Sequence, residues 1–123
     1  MPKKILVVDD ETEIVELFAK KLKTHGFDVI TAFSGEEALI KAKTELPNLV
    51  ILDIRLPGMD GTKVLEFLKE DESTKNIPVL FVTAVDAPRE IVRHFDLGAE
   101  NYLLKPVAPQ VLLGEVEEIL VAR

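Results

Sequence analysis

Three short runs in this 123-residue chain are apolar at every position: Ile5-Leu6-Val7-Val8, Leu49-Val50-Ile51-Leu52 and Val79-Leu80-Phe81-Val82. A strand turns successive side chains to opposite faces. It can be apolar throughout only where both faces are covered, which happens chiefly in parallel sheets flanked by helices. Val29-Ile30 and Leu103-Leu104 mark two shorter runs of the same kind. Strand starts therefore fall near residues 5, 28, 49, 79 and 102, at intervals of 23, 21, 30 and 23 residues. Each interval accommodates a right-handed strand-helix-strand crossover. The pattern predicts five βα units in an open, doubly wound α/β domain, with ligands bound beyond the carboxyl ends of the strands.

The segments between the runs read as helices. The first carries Ile14, Leu17, Phe18 and Leu22 at helical spacing, with Gly26 placed to end it. Ser34 and Glu37 form a capping-box pattern that opens the second, and Pro47 closes it. Val64, Leu65 and Leu68 mark the third. Asp86 with Pro88 opens a fourth bearing Ile91, Val92 and Phe95 before Gly98, and Pro109 opens a fifth bearing Leu112, Val116, Ile119 and Leu120. No linker, repeat or low-complexity stretch interrupts this order, and the length suits one domain over residues 1–123 with one compact core.

Charge and composition remove several function classes. Fifteen Lys and Arg against 22 Asp and Glu leave a formal net charge of −7, a surface that repels nucleic-acid backbones and anionic membranes. Direct nucleic-acid binding is not expected. With no cysteine, the chain has neither disulfides, thiolate metal sites nor a Cys nucleophile, which fits a reducing compartment. No apolar stretch approaches the roughly 20 residues of a membrane span, and the run after Lys3-Lys4 is too short for a signal-peptide core. The cytoplasm is the expected compartment.

The predicted fold gathers residues just past each strand into one crevice. Asp9 and Asp10 follow the first strand, Asp53 ends the third, Thr83 follows the fourth, and Lys105 follows the fifth with Pro106 next. Each alone has an ordinary reading. The acidic pair suits the positive end of a helix dipole, Thr83 suits a strand end, and Lys105 suits a solvated surface. Asp53 is harder to explain that way, because an unpaired charge near the centre of a sheet costs several kcal/mol. Together they carry chemistry. Three converging carboxylates repel one another unless a cation sits between them, and an oxygen-only ligand set suits Mg²⁺. A hydroxyl and an ammonium opposite would hold the phosphoryl oxygens that the metal leaves free. The implied chemistry is phosphoryl transfer to a carboxylate.

Over nearly its whole length the chain resembles the receiver domain of two-component response regulators, in particular the single receivers of the chemotaxis-regulator type. Val7-Val8-Asp9-Asp10-Glu11 resembles the family's acidic pair. The stretch Leu52-Asp53-Ile54-Arg55-Leu56-Pro57-Gly58-Met59-Asp60-Gly61 resembles its phosphoacceptor segment. Val82-Thr83-Ala84 is similar to the hydroxyl segment, and Gly98-Ala99-Glu100-Asn101-Tyr102-Leu103-Leu104-Lys105-Pro106 to the lysine segment. Asn101 stands where the family often has Asp.

The resemblance implies a flavodoxin-like (βα)5 fold with strand order 2-1-3-4-5. It implies that Asp53 accepts the phosphoryl group, that Asp10, Asp53 and the Arg55 backbone carbonyl ligate Mg²⁺, and that Asp9 supports the metal through water. Thr83 and Lys105 would hold phosphoryl oxygens, and a cis Lys105–Pro106 bond would aim the lysine into the crevice. Tyr102 matches an aromatic switch position, its ring expected to leave the surface near His94 and Phe95 and turn inward once Thr83 moves. Its ordinary alternative is a strand aromatic with its hydroxyl in water. The implied role is a regulatory phosphoacceptor, not a conventional enzyme. A sensor histidine kinase or phosphotransfer protein would be the donor. The partner would be a downstream protein, an output domain, or a second copy through the face of the fourth helix, fifth strand and fifth helix.

Other classes stay open. A haloacid dehalogenase-type phosphatase also forms an aspartyl phosphate, but needs a second Asp where this chain has Arg55. A flavodoxin-like cofactor carrier needs a hydroxyl-rich loop after the first strand, and Asp9-Asp10-Glu11 would repel its phosphate. A receiver-shaped interaction module would never take up phosphate, so a phosphorylation assay separates it. The first strand, starting near residue 4, favours a natural N-terminus. With the last helix ending near residue 121, the chain is expected to hold no output domain, as a stand-alone receiver or a piece of a longer regulator.

Overall fold

A computed structural model describes residues 2–121. Five strands and five helices alternate: β1 (Lys4–Val8), α1 (Thr12–Thr24), β2 (Asp28–Ala32), α2 (Gly35–Glu45), β3 (Leu49–Leu52), α3 (Gly61–Glu70), β4 (Val79–Thr83), α4 (Pro88–Asp96), β5 (Asn101–Leu104) and α5 (Pro109–Val121). The strands form one sheet in the order β2-β1-β3-β4-β5, and every pairing is parallel. β3 and β4 are buried along their whole lengths, as continuous apolar runs require.

The period-2 alternation of the strands divides the expected single core into two clusters. Ile5, Val7, Leu49, Ile51, Leu80 and Val82 face one side, where α1 and α5 cover them. Leu6, Val8, Val50, Leu52, Val79 and Phe81 face the other, against α2 and α3. Helix α1 ends where Gly26 adopts φ +90°: Phe27 N–H donates to Leu22 O and Gly26 N–H to Lys23 O, a Schellman closure. Ser34 Oγ accepts the Glu37 N–H at the start of α2. The reciprocal bond runs from the Phe33 N–H to Glu37 Oε1, one residue earlier than a capping box predicts.

Two helices bury different residues from those their spacing predicts. In α1 the buried side chains are Val15, Phe18, Ala19 and Leu22, while Leu17 is 51% exposed. Two apolar stripes overlap on that helix, and the smaller Ala19 takes the inner one. In α4 the only buried residue is His94, whereas Val92 is 60% and Phe95 43% exposed. The cap differs too: Ala87, not Asp86, precedes the first turn, with Pro88 inside it.

Candidate functional site

The backbone brings the acidic residues together through register. Val8 of β1 lies beside Leu52 of β3, so the residues that follow, Asp9 and Asp53, emerge at one carboxyl edge. Helix α3 starts close behind them. A Cβ at Gly61 would lie 2.2 Å from the Asp53 carbonyl oxygen, and the Gly61 N–H donates to Ile54 O at 2.7 Å. Glycine lets this turn pass tightly under the third strand's end.

Asp9, Asp10 and Asp53 each offer a carboxylate oxygen within 4.8 Å of the others; Asp9 and Asp53 are buried and Asp10 is exposed. Lys105, near the end of β5, places its ammonium 2.7 Å from Asp9 Oδ2 and 2.8 Å from Asp53 Oδ2. It also lies 3.3 Å from Glu11 Oε1. The remaining oxygens of the two buried carboxylates accept backbone protons: Glu11 N–H donates to Asp9 Oδ1 and Arg55 N–H to Asp53 Oδ1. Burial raises the Asp9 carboxyl above its ordinary pKa, against the opposing effect of Lys105. Burial also opposes the charge on Lys105, but its bonds to Asp53 and Asp9 outweigh it and the ammonium is held more firmly than usual.

One ammonium does not balance this many carboxylates. Each bonded oxygen keeps lone-pair capacity, and all the converging side-chain donors are hard oxygens. The cluster Asp9, Asp10 and Asp53 therefore fits a Mg²⁺ site, with Asp10 the ligand most open to solvent.

Thr83 is fully buried at the end of β4, its carbonyl accepting the Lys105 N–H and its Oγ1 facing the Val85 N–H at 3.4 Å. Arg55 is exposed two residues past Asp53, and the Lys105–Pro106 bond is cis. Tyr102 differs from its ordinary alternative: its ring is half-buried and its hydroxyl donates to Val85 O at 2.9 Å instead of standing in water. It stacks on His94 at 5.9 Å and 18° and tilts against Phe81 at 5.8 Å. Burial and the charges of Glu90, Asp53 and Asp86 push its phenol up to about 12. His94 is not a surface neighbour of that ring. It is fully buried because Thr62 Oγ1 meets its Nε2 at 2.7 Å and Phe81 packs 4.8 Å from its ring.

Sequence reasoning missed three contributors. Glu11 was visible only as the tail of the acidic motif, yet it reaches Lys105. Val85 contributes backbone atoms, which no side-chain pattern reveals. The Thr62–His94 pair spans 32 residues, and neither partner stands out alone.

Known proteins resemble this arrangement as a whole. A family model for the response regulator receiver domain matches residues 5–117. The alkaline phosphatase synthesis transcriptional regulatory protein PhoP of Bacillus subtilis is 46% identical over 120 residues, which cover 98% of this chain and 49% of that protein. Response regulator PleD of Caulobacter vibrioides is 38% identical over 119 residues, covering 97% of this chain and 26% of PleD. The chain thus spans half or less of these relatives. A CheY-like receiver domain protein from Methanospirillum hungatei superposes with a TM-score of 0.93 at 34% identity, covering 99% of this chain and 96% of that one.

Proposed function

This chain belongs to the response regulator receiver domain family of two-component systems, and from that membership we propose that Asp53 is its phosphoacceptor. The observation that carries this reading is the setting of Asp53: buried at the end of β3, beside two further carboxylates, with Lys105 2.8 Å from Oδ2. Residues 1–123 act as one receiver. An Asp53 oxygen attacks the phosphorus of a kinase phosphohistidine or of a small acyl phosphate. The P–N or P–O bond to the leaving group breaks, and its electron pair departs with that group. Asp10, Asp53 and the Arg55 backbone carbonyl, with Asp9 in support, would hold Mg²⁺, which would supply neutralisation of phosphoryl charge.

Lys105 supplies fixed positive charge to the acyl phosphate, and the Thr83 hydroxyl donates to another phosphoryl oxygen. Lys105 is then drawn from Asp9 toward the new anion. Thr83 shares the Val85 backbone with Tyr102, one bonded at its N–H and the other at its C=O. Movement of Thr83 is therefore transmitted through Val85 to Tyr102 and on to α4, and the α4-β5-α5 face is read by a protein partner, an output domain or a second copy. The domain assists its own phosphorylation and dephosphorylation in the cytoplasm. No helix among the described residues is long and apolar enough to cross a membrane, and the charge of −7 opposes direct nucleic-acid binding by these residues.

Incubation with a small acyl phosphate and Mg²⁺, followed by intact-mass spectrometry, tests this directly. The chain should gain one phosphoryl group and Asp53→Asn none. An equal gain on the variant assigns the acceptor elsewhere, and no gain on either leaves only a receiver-shaped binding module.

A further inference from the structure

Helix α4 meets its neighbours through one buried polar ring and an exposed ion pair from Arg93 to Glu66 of α3 at 3.3 Å. His94 is its single buried residue, and it touches three other elements at once: Thr62 in the first turn of α3, Phe81 in β4 and Tyr102 in β5. Its second nitrogen, Nδ1, is buried and meets no hydrogen-bond partner among the described residues. That asymmetry assigns the tautomer. A buried bare nitrogen is tolerated better than a buried N–H with no acceptor, so the proton sits on Nε2 and is donated to Thr62 Oγ1. A second proton would have to go onto Nδ1, creating a buried, unpaired donor on a charged ring.

We propose that His94 is the positioning residue of Tyr102: its neutral imidazole, tied to Thr62 and stacked on the tyrosine ring, holds that ring against Phe81 with its hydroxyl on Val85 O. Its bearing on the proposed function rests on reading Tyr102 as the switch aromatic.

The groups around the imidazole define how acid acts on it. Glu90, whose Oε2 lies 4.0 Å from Nε2, and Arg93 come from α4 itself; Asp60 and Thr62 come from the start of α3. From the sheet come only the Phe81 ring and the phenol of Tyr102, which stays protonated through neutral pH. Burial, more than the opposing carboxylates, keeps the ring neutral. Acidification should therefore free it from this position.

The chain has one tyrosine and no tryptophan, so its ultraviolet fluorescence above the phenylalanine background reports Tyr102 alone. Acrylamide quenching of the unphosphorylated, folded chain should be weak at neutral pH and should strengthen in His94→Gln, which keeps a donor for Thr62 but removes the ring. Thr62→Val, which does not touch Tyr102, should also strengthen it. Leu68→Ala, an α3 core truncation, should lower overall stability without altering the quenching. Lowering the pH below the ordinary histidine range should strengthen quenching in the parent chain and not in His94→Phe. Quenching in His94→Gln and Thr62→Val equal to the parent's, with circular dichroism unchanged, overturns the proposal. So does strong quenching of the parent at neutral pH. Asp53→Asn should keep Tyr102 protected, so loss of phosphate uptake and loss of protection are read separately.

Discussion

Helices α3 and α4 are nearly equal in length, ten residues against nine, yet they are held in opposite ways. Helix α3 is capped by Asp60, which accepts the Lys63 N–H, and buries Val64, Leu65 and Leu68 in the core. Helix α4 has no side-chain cap, buries only His94, and leaves Val92 and Phe95 to solvent. Non-directional burial of aliphatic side chains fixes α3 in one place. The Thr62–His94 hydrogen bond, a ring stack and the exposed Arg93–Glu66 ion pair fix α4, and directional contacts can be exchanged at small cost. On the proposed function, movement is expected on the side of the molecule beyond Thr83, with the acidic cluster on the firmly packed side.

The largest expected effect breaks the comparison at its strong end. Leu65→Ala should cost about 2–5 kcal/mol in urea denaturation, because it opens a cavity in a fully buried site. Phe95→Ala, on the exposed side of α4, should stay within about 0.5 kcal/mol. Equal losses would mean that α4 is packed as firmly as α3. Next comes the metal: at tenfold its Kd, Mg²⁺ should stabilise the fold by about 1.4 kcal/mol through mass action. Asp10→Asn should blunt the rise in melting temperature, and a flat melting temperature across the titration counts against the site.

Acid should separate the two helices further. His94 takes its proton near 6.5 when unfolded but at lower pH when buried. Between those values the unfolded state binds more protons, so this stabilisation is complete above 6.5 and is lost as pH falls through the folded value. Amide exchange, corrected for its intrinsic pH dependence, should quicken in α4 before α3, and His94→Phe should remove the difference. The smallest effect concerns Arg55 and Val85, each two residues beyond a site residue. Arg55 is expected to lie across the phosphoryl group and restrict water, while apolar Val85 offers nothing to orient it. Arg55→Ala should shorten the phosphorylated lifetime, and an unaltered or longer lifetime contradicts the shielding.

The same contrast explains what could be read before the structure. Continuous apolar runs are produced by burial on both faces, so β1, β3 and β4 were legible almost to the residue. The parallel architecture followed from their spacing. The gathering of Asp9, Asp10, Asp53 and Lys105 was legible because strand ends converge in such a sheet. Helix α4 was not. Spacing pointed to Ile91, Val92 and Phe95, but an exposed apolar residue costs little, and a histidine is buried wherever a distant hydroxyl and two rings receive it. Tyr102 stood out by its resemblance to the family's aromatic position, yet its bond to Val85 O and its stack on His94 are contacts that no local pattern encodes.

The central claim is that charge arriving at Asp53 is felt in α4 through Thr83, Val85 and Tyr102. Amide NMR with beryllofluoride and Mg²⁺ tests it most directly, since the fluoride stands in for the phosphoryl group. The account predicts shifts at residues 83–87, 102–105 and through α4, with α3 beyond its first turn nearly unmoved. Shifts confined to Asp9, Asp10 and Asp53 would contradict it, leaving a phosphate site that moves nothing.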